Sequence, residues 1–174
     1  MPEYRRLLIP GGTYFFTVNL ADRRSNLLVK HIEKLRAAWA ETAKSHPFET
    51  VAVVILPDHL HTVWTLPEND GDFRTRWRLI KTRFTRSLPD TDKGEGRRPG
   101  ERGVWQRRYW DHAIRDDKDL GAHVDYIHWN PVKHGHVQEI DDWPHSSWHR
   151  FKRESGLEFN PVAWKSRHFG ERDP

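Results

Sequence analysis

The chain has 174 residues, a net charge of +4 at pH 7 and no cysteine. That length suits one domain with a real core, and the missing cysteines exclude a disulfide framework and a thiolate metal site. No apolar run reaches the ~18 residues of a membrane span and the N-terminus carries no signal-peptide pattern, so a cytoplasmic protein is expected, with a polyanionic partner hinted at by the pI of 9.5.

Arg5 and Arg6 open a short basic arm, and Gly11-Gly12 marks a turn. From Thr13 the chain alternates, with Tyr14, Phe16, Val18 and Leu20 on one side, which predicts a first strand. Leu28, Ile32, Leu35, Trp39 and Thr42 follow the 3.6 period and predict a helix over 28–45, ended by His46-Pro47. His31 and His46 read as plain surface histidines. Phe48–Leu56 is rich in β-branched residues and predicts a second strand; Pro57-Asp58 punctuates it, and His59–Leu66 forms a third that can pair with it as a hairpin.

Asp72 is a plausible N-cap for a helix whose apolar stripe is Phe73, Trp77, Ile80, Phe84 and Leu88. Arg74, Arg76, Arg78, Lys81, Arg83 and Arg86 occupy its other faces. Residues 89–103 are loop by composition and carry Arg97 and Arg98. The stretch from Val104 to Ile114 should contain a fourth strand, led by Arg107 and Arg108. Asp116 caps a last helix, which Pro131 and Gly135 are expected to stop. On it Leu120, Val124 and Ile127 face one way, and Asp119, His123, Tyr126 and Asn130 another.

This order predicts an α+β, ferredoxin-like (split βαβ) domain with a catalytic C-terminal helix: a four-stranded antiparallel sheet, two helices on one face, and an open face left for the last helix or a ligand. Its expected extent is 1–150, with the aromatic-bearing tail 151–174 packing on the domain or contacting DNA.

Two stretches carry chemistry. His59 and His61 are i, i+2 on a strand, so their imidazoles share a face and can chelate one cation. Tyr126 and Asn130 are i, i+4 on a helix and share a face too. The reading is that these pieces meet: His59, His61 and Asn130 hold the metal, and Tyr126 attacks a phosphate bound there. The competing readings are a helix C-cap for Asn130, packing for Tyr126, and bland roles for His112, His123 and His128. Clustered cations, namely Arg5, Arg6, Arg74, Arg78, Lys81, Arg83, Arg97, Arg98, Arg107 and Arg108, read as a phosphate-backbone footprint.

With these residues in place the chain resembles the HUH-type single-tyrosine transposases, most closely the branch associated with repetitive extragenic palindromes (REP) in bacterial genomes. The match rests on Gly11-Gly12-Thr13-Tyr14-Phe15-Phe16, Leu56-Pro57-Asp58-His59-Leu60-His61, Trp105-Gln106-Arg107-Arg108-Tyr109-Trp110-Asp111-His112, Tyr126-Ile127-His128-Trp129-Asn130-Pro131 and Trp143-Pro144-His145-Ser146-Ser147. The resemblance implies a ferredoxin-like fold and single-stranded DNA that folds into a hairpin. It also implies Mg²⁺ or Mn²⁺ on His59 and His61 with Asn130 as third ligand, cleavage through a 5′-phosphotyrosine on Tyr126, and a monomer or homodimer working on nucleoid DNA. Two rivals stand beside it: a non-catalytic nucleic-acid-binding protein and a zinc hydrolase using the histidine pair.

Overall fold

The computed structural model describes residues 8–94 and 103–156. Strands β1 (Thr13–Asn19), β2 (Glu49–Ile55), β3 (His59–Thr65) and β4 (Trp110–Ala113) form one sheet in the order β2-β3-β1-β4. Every pair is antiparallel. Helices α1 (Leu27–Lys30) and α2 (Ile32–Ser45) lie between β1 and β2, and α3 (Phe73–Ser87) between β3 and β4. After β4 come α4 (Asp117–Lys133) and α5 (Trp148–Ser155). This is the expected ferredoxin-like, split βαβ arrangement.

The alternation in β1 sorts the core into two halves. Tyr14, Phe16, Val18 and Leu20 join Leu60 and Trp64 against Leu35, Phe73, Trp77, Ile80 and Phe84 of α2 and α3. Trp64 and Trp77 stack there with centroids 4.2 Å apart. On the other face Phe15, Ala52, Val54 and Val63 pack against Tyr126 and Ile127 of α4. A single-residue slip of β1 would exchange these sets, so the pattern pins the register. The turn before β1 needs its glycines: Gly11 has φ +72°, and a Cβ on Gly12 would stand 2.8 Å from the Ile9 carbonyl oxygen.

Caps act as the sequence suggested. Asp72 accepts from the Thr75 amide at 3.0 Å and Asp116 from the Asp119 amide at 2.8 Å. Two expectations fail. The 28–45 helix is broken at His31, whose ring meets Asp92 at 2.6 Å with only 13% of the side chain exposed; it is a tether rather than a plain surface residue. Pro131 does not stop α4, which runs on to Lys133. It sits in the last turn, where one lost amide bond is tolerable, and the end is closed by a Schellman motif. Gly135 (φ +72°) donates to Val132 and His136 to Pro131.

The edge strand β2 is covered by the chain after α4. Ile55 donates to the His145 carbonyl, Ser147 donates to the Val53 carbonyl, and Val53 donates to Ser147 Oγ. Arg150 of α5 donates to the carbonyls of Thr50 and Val51, where β2 is bulged. This cover blunts an edge that would otherwise recruit another strand. Helix α5 crosses the expected boundary at residue 150, and the tail beyond residue 156 lies outside the described residues.

Candidate active site

Strand β3 starts right after the Pro57-Asp58 turn, and that start aims His59 and His61 at the α4 face. Both are buried. His59 Nδ1 lies 2.8 Å from Asp58 Oδ1, and Asp58 is in turn held by Arg23 at 2.6 Å. Burial alone would raise Asp58, but the bonds from His59 and Arg23 outweigh it and hold the carboxyl below its usual range. Burial pushes His59 down to about 4 despite the Asp58 contact, and pushes His61 well below its ordinary value. Both imidazoles are therefore neutral at pH 7, the form that binds metal.

His61 Nδ1 meets Thr17 Oγ1 at 2.8 Å, across the β1–β3 pairing. In the Nδ1–H tautomer each ring donates to Asp58 or Thr17 and its Nε2 keeps a lone pair. Partners of this type orient metal-binding histidines elsewhere. His61 Nε2 is buried and has no hydrogen-bond partner among the described residues.

Helix α4 lies over this pair. Tyr126, Asn130 and His134 are successive i, i+4 positions on its underside or C-cap. The Tyr126 ring is 5.1 Å from His61, and the His134 ring 5.1 Å from His59. Asn130, midway between Tyr126 and His134 in the helix, is fully buried, and neither its side-chain oxygen nor its nitrogen has a partner among the described residues. An unsatisfied buried polar group costs about 1–3 kcal/mol. A fully buried Asn amide on the helix that packs over an unpartnered imidazole nitrogen is a group that a cation could satisfy. The Asn130 side chain plays no capping role. Lys133 places its ammonium 4.9 Å from the Tyr126 ring centroid.

A second polar group gathers at the other end of α4. His112 of β4, Asp119 and His123 bring ligand atoms within 4.8 Å of one another, a set consistent with a divalent metal. His112 Nε2 meets Asp119 Oδ2 at 2.9 Å, and His123 Nδ1 meets the Asp119 carbonyl at 2.8 Å. Arg115 donates to Asp119 Oδ2 from both its amide and its Nε. The bonds from His112 and Arg115 overcome burial and hold the Asp119 carboxyl at about 2. Bland readings of His112 and His123 missed this cluster; a histidine and an aspartate at i, i+4, facing a strand histidine, was its available signal.

The expected cationic footprint divides. Arg5, Arg6, Arg97 and Arg98 lie outside the described residues. Helix α3 packs on the sheet face opposite His59 and His61. There Lys81 donates to the Gln106 carbonyl at 3.1 Å and sits over the Trp105 and Tyr109 rings. Arg83 bonds Thr42 and Glu41, tying α3 to α2. Arg76 is buried, bonding Asp70, Asp72 and Pro47. Arg74 and Arg78 are exposed on α3, while Arg107 and Arg108 are exposed on the approach to β4.

No family model matches the chain. Over 150 residues it is 51% identical to the REP-associated tyrosine transposase of Escherichia coli K12, covering 86% of this chain and 84% of that one. A Haemophilus influenzae relative bearing that family name is 50% identical over 167 residues, covering 94% and 93% of the two chains. The solved structure of a REP-associated tyrosine transposase bound to a REP hairpin superposes with TM-score 0.82 at 46% identity, covering 100% of this chain and 99% of that one.

Proposed function

The chain belongs to the REP-associated tyrosine transposases, and we propose that it cuts and rejoins single-stranded DNA beside a hairpin, with Tyr126 as the nucleophile. The observation that carries this reading is that two buried groups, His61 Nε2 and the Asn130 amide, have no hydrogen-bond partner among the described residues, with His61 against the Tyr126 ring and Asn130 one helical turn beyond Tyr126 on α4. His59, His61 and Asn130 would hold the divalent cation, Mg²⁺ or Mn²⁺. When bound there, the ion polarises a phosphoryl oxygen and offsets its negative charge.

The protein's own groups do the rest. Lys133 sets its positive charge 4.9 Å from the Tyr126 ring, beside a phenol whose ordinary pKa of ~10 makes it a poor nucleophile at neutral pH. The tyrosyl oxygen bonds to phosphorus as the P–O3′ bond breaks. The departing 3′-oxygen takes up a proton equivalent to the one the phenol gave to solvent. The 5′-phosphotyrosine keeps the energy of the phosphodiester, so a second 3′-hydroxyl can reverse the step and join a different end. Tyr126 lies against His61 of its own chain, which supports a site complete within one monomer.

Arg107 and Arg108 would follow the strand backbone, and Arg5, Arg6, Arg97 and Arg98 are further candidates for phosphate contact by charge alone. Arg74, Arg78, Lys81 and Arg83 on the far face would take the hairpin only where it wraps round the sheet. Among the described residues no helix is long and apolar enough to cross a membrane; a DNA substrate would be met in the cytoplasm, at the nucleoid.

The test is covalent capture. Mixing the protein with end-labelled hairpin oligonucleotides and Mn²⁺ should give a labelled protein band that EDTA prevents and Tyr126→Phe lacks. A band that survives in Tyr126→Phe would remove Tyr126 from its role.

A further inference from the structure

Among the described residues four large apolar side chains are exposed, and one of them, Trp110, is an aromatic on the sheet. It opens β4, the edge strand beside β1, and remains 43% exposed. Its place is set by register: His61 pairs with Thr17, and Thr17 pairs with Trp110. Directly paired residues share a face, so Trp110 stands in one row with the histidine that faces Tyr126. Two strand spacings of ~4.8 Å put it about 10 Å from His61.

The ring is held at one orientation. Phe15 meets it edge-on at 5.7 Å, and the His112 ring lies parallel to it at 5.8 Å with 6° between planes. His112 stacks in turn on His123 at 4.8 Å. The self-bonded His112–Asp119–His123 cluster thus backs the tryptophan. The same edge carries cations: Arg107 and Arg108 are exposed just before it, and the Arg115 side chain is 76% exposed just after. A rigid, half-exposed indole between cations is how proteins hold an unpaired base while following its backbone.

We propose that Trp110 is the stacking platform for an unpaired nucleobase of the strand that flanks the scissile phosphate, one or two nucleotides from the bond that Tyr126 attacks. Arg107, Arg108 and Arg115 neutralise the adjoining phosphates. This rests on the reading of Tyr126 and the histidine pair as the cleavage site, but its test reads binding alone. Stacking tolerates any base, so the platform fixes where the strand lies rather than which sequence is read.

The experiment measures affinity in a Tyr126→Phe background, which cannot cleave. Hairpins with a single-stranded flank are compared with hairpins carrying one abasic nucleotide at each flank position in turn, and with a flankless hairpin. One abasic position is expected to weaken binding by about tenfold, the scale of one base–aromatic stack. Adding Trp110→Ala should cost the same tenfold on the intact flank and abolish the sensitivity to that abasic position. The flankless hairpin should bind unchanged, and Trp110→Phe, which keeps an aromatic face, should restore most of the loss. If Trp110→Ala keeps the full abasic profile, or weakens the flankless hairpin equally, the proposal is overturned. Failure of the Tyr126 reading appears separately, as absence of the covalent band in the otherwise wild-type chain.

Discussion

The two ends of α4 carry similar side chains in opposite states. At the N-terminal end Asp119 and His123 meet His112, and the carboxylate is bonded by His112 and Arg115. At the C-terminal end, among the described residues, neither side-chain amide atom of Asn130 nor Nε2 of His61 has a hydrogen-bond partner. His59, His61 and Asn130 are buried and the His112 cluster is partly so, and both groups contain possible ligands. Composition alone cannot tell them apart; hydrogen-bond accounting can. A satisfied cluster fixes the helix to the sheet, whereas an unsatisfied one persists at a cost that only a bound partner relieves.

The largest expected effect belongs to the unsatisfied end. Tyr126→Phe should abolish the covalent DNA adduct while hairpin affinity stays within a few-fold of the parent. Equal loss of binding in a folded variant would mean the ring packs rather than reacts. Next comes the support beneath His61. Thr17→Val removes the oxygen that holds Nδ1 and should weaken divalent-metal affinity by roughly 10–100-fold. An unchanged Mn²⁺ isotherm would show that Thr17 does not orient the ligand.

The satisfied end should respond in stability instead. Asp119→Asn loses charge-assisted bonds to His112 and Arg115, and about 2 kcal/mol of unfolding free energy should go with them. The sign with pH follows from the carboxyl being held at about 2 in the fold, below its unfolded value. Its stabilisation is present above about pH 4 and fades as pH falls through 2. Urea unfolding of parent and variant should therefore converge towards pH 2; a gap that stays constant would contradict the cause. The smallest effects are on the surface. Arg107→Ala or Arg108→Ala should lower the salt slope of single-strand binding by about 0.7 each. Arg74→Ala, on the far face, should leave it within error for a short flank.

Much of this was legible in the chain. The period-2 pattern of Tyr14, Phe16 and Val18 and the period-3.6 stripe of Phe73, Trp77 and Ile80 report burial directly, so fold and faces followed from them. Tyr126 and Asn130 were placed on one face by spacing alone. Contacts between distant segments were not readable. Thr17 under His61 and His134 over His59 depend on register and on where α4 lands. Arg76, Lys81 and Arg83 look like surface cations in sequence, yet neighbours far along the chain engage them. Pro131 looked like a stop, because its cost depends on how near the helix end it falls.

The most direct test is Mn²⁺ binding followed by electron paramagnetic resonance on three proteins: the parent chain, His59→Ala with His61→Ala, and His112→Ala with Asp119→Asn. We expect one bound ion per chain in the parent, none in the β3 variant, and one at near-parental affinity in the other. An ion that survives loss of His59 and His61 but disappears with His112 and Asp119 would move the metal to the opposite end of α4 and contradict the assignment of the reactive site.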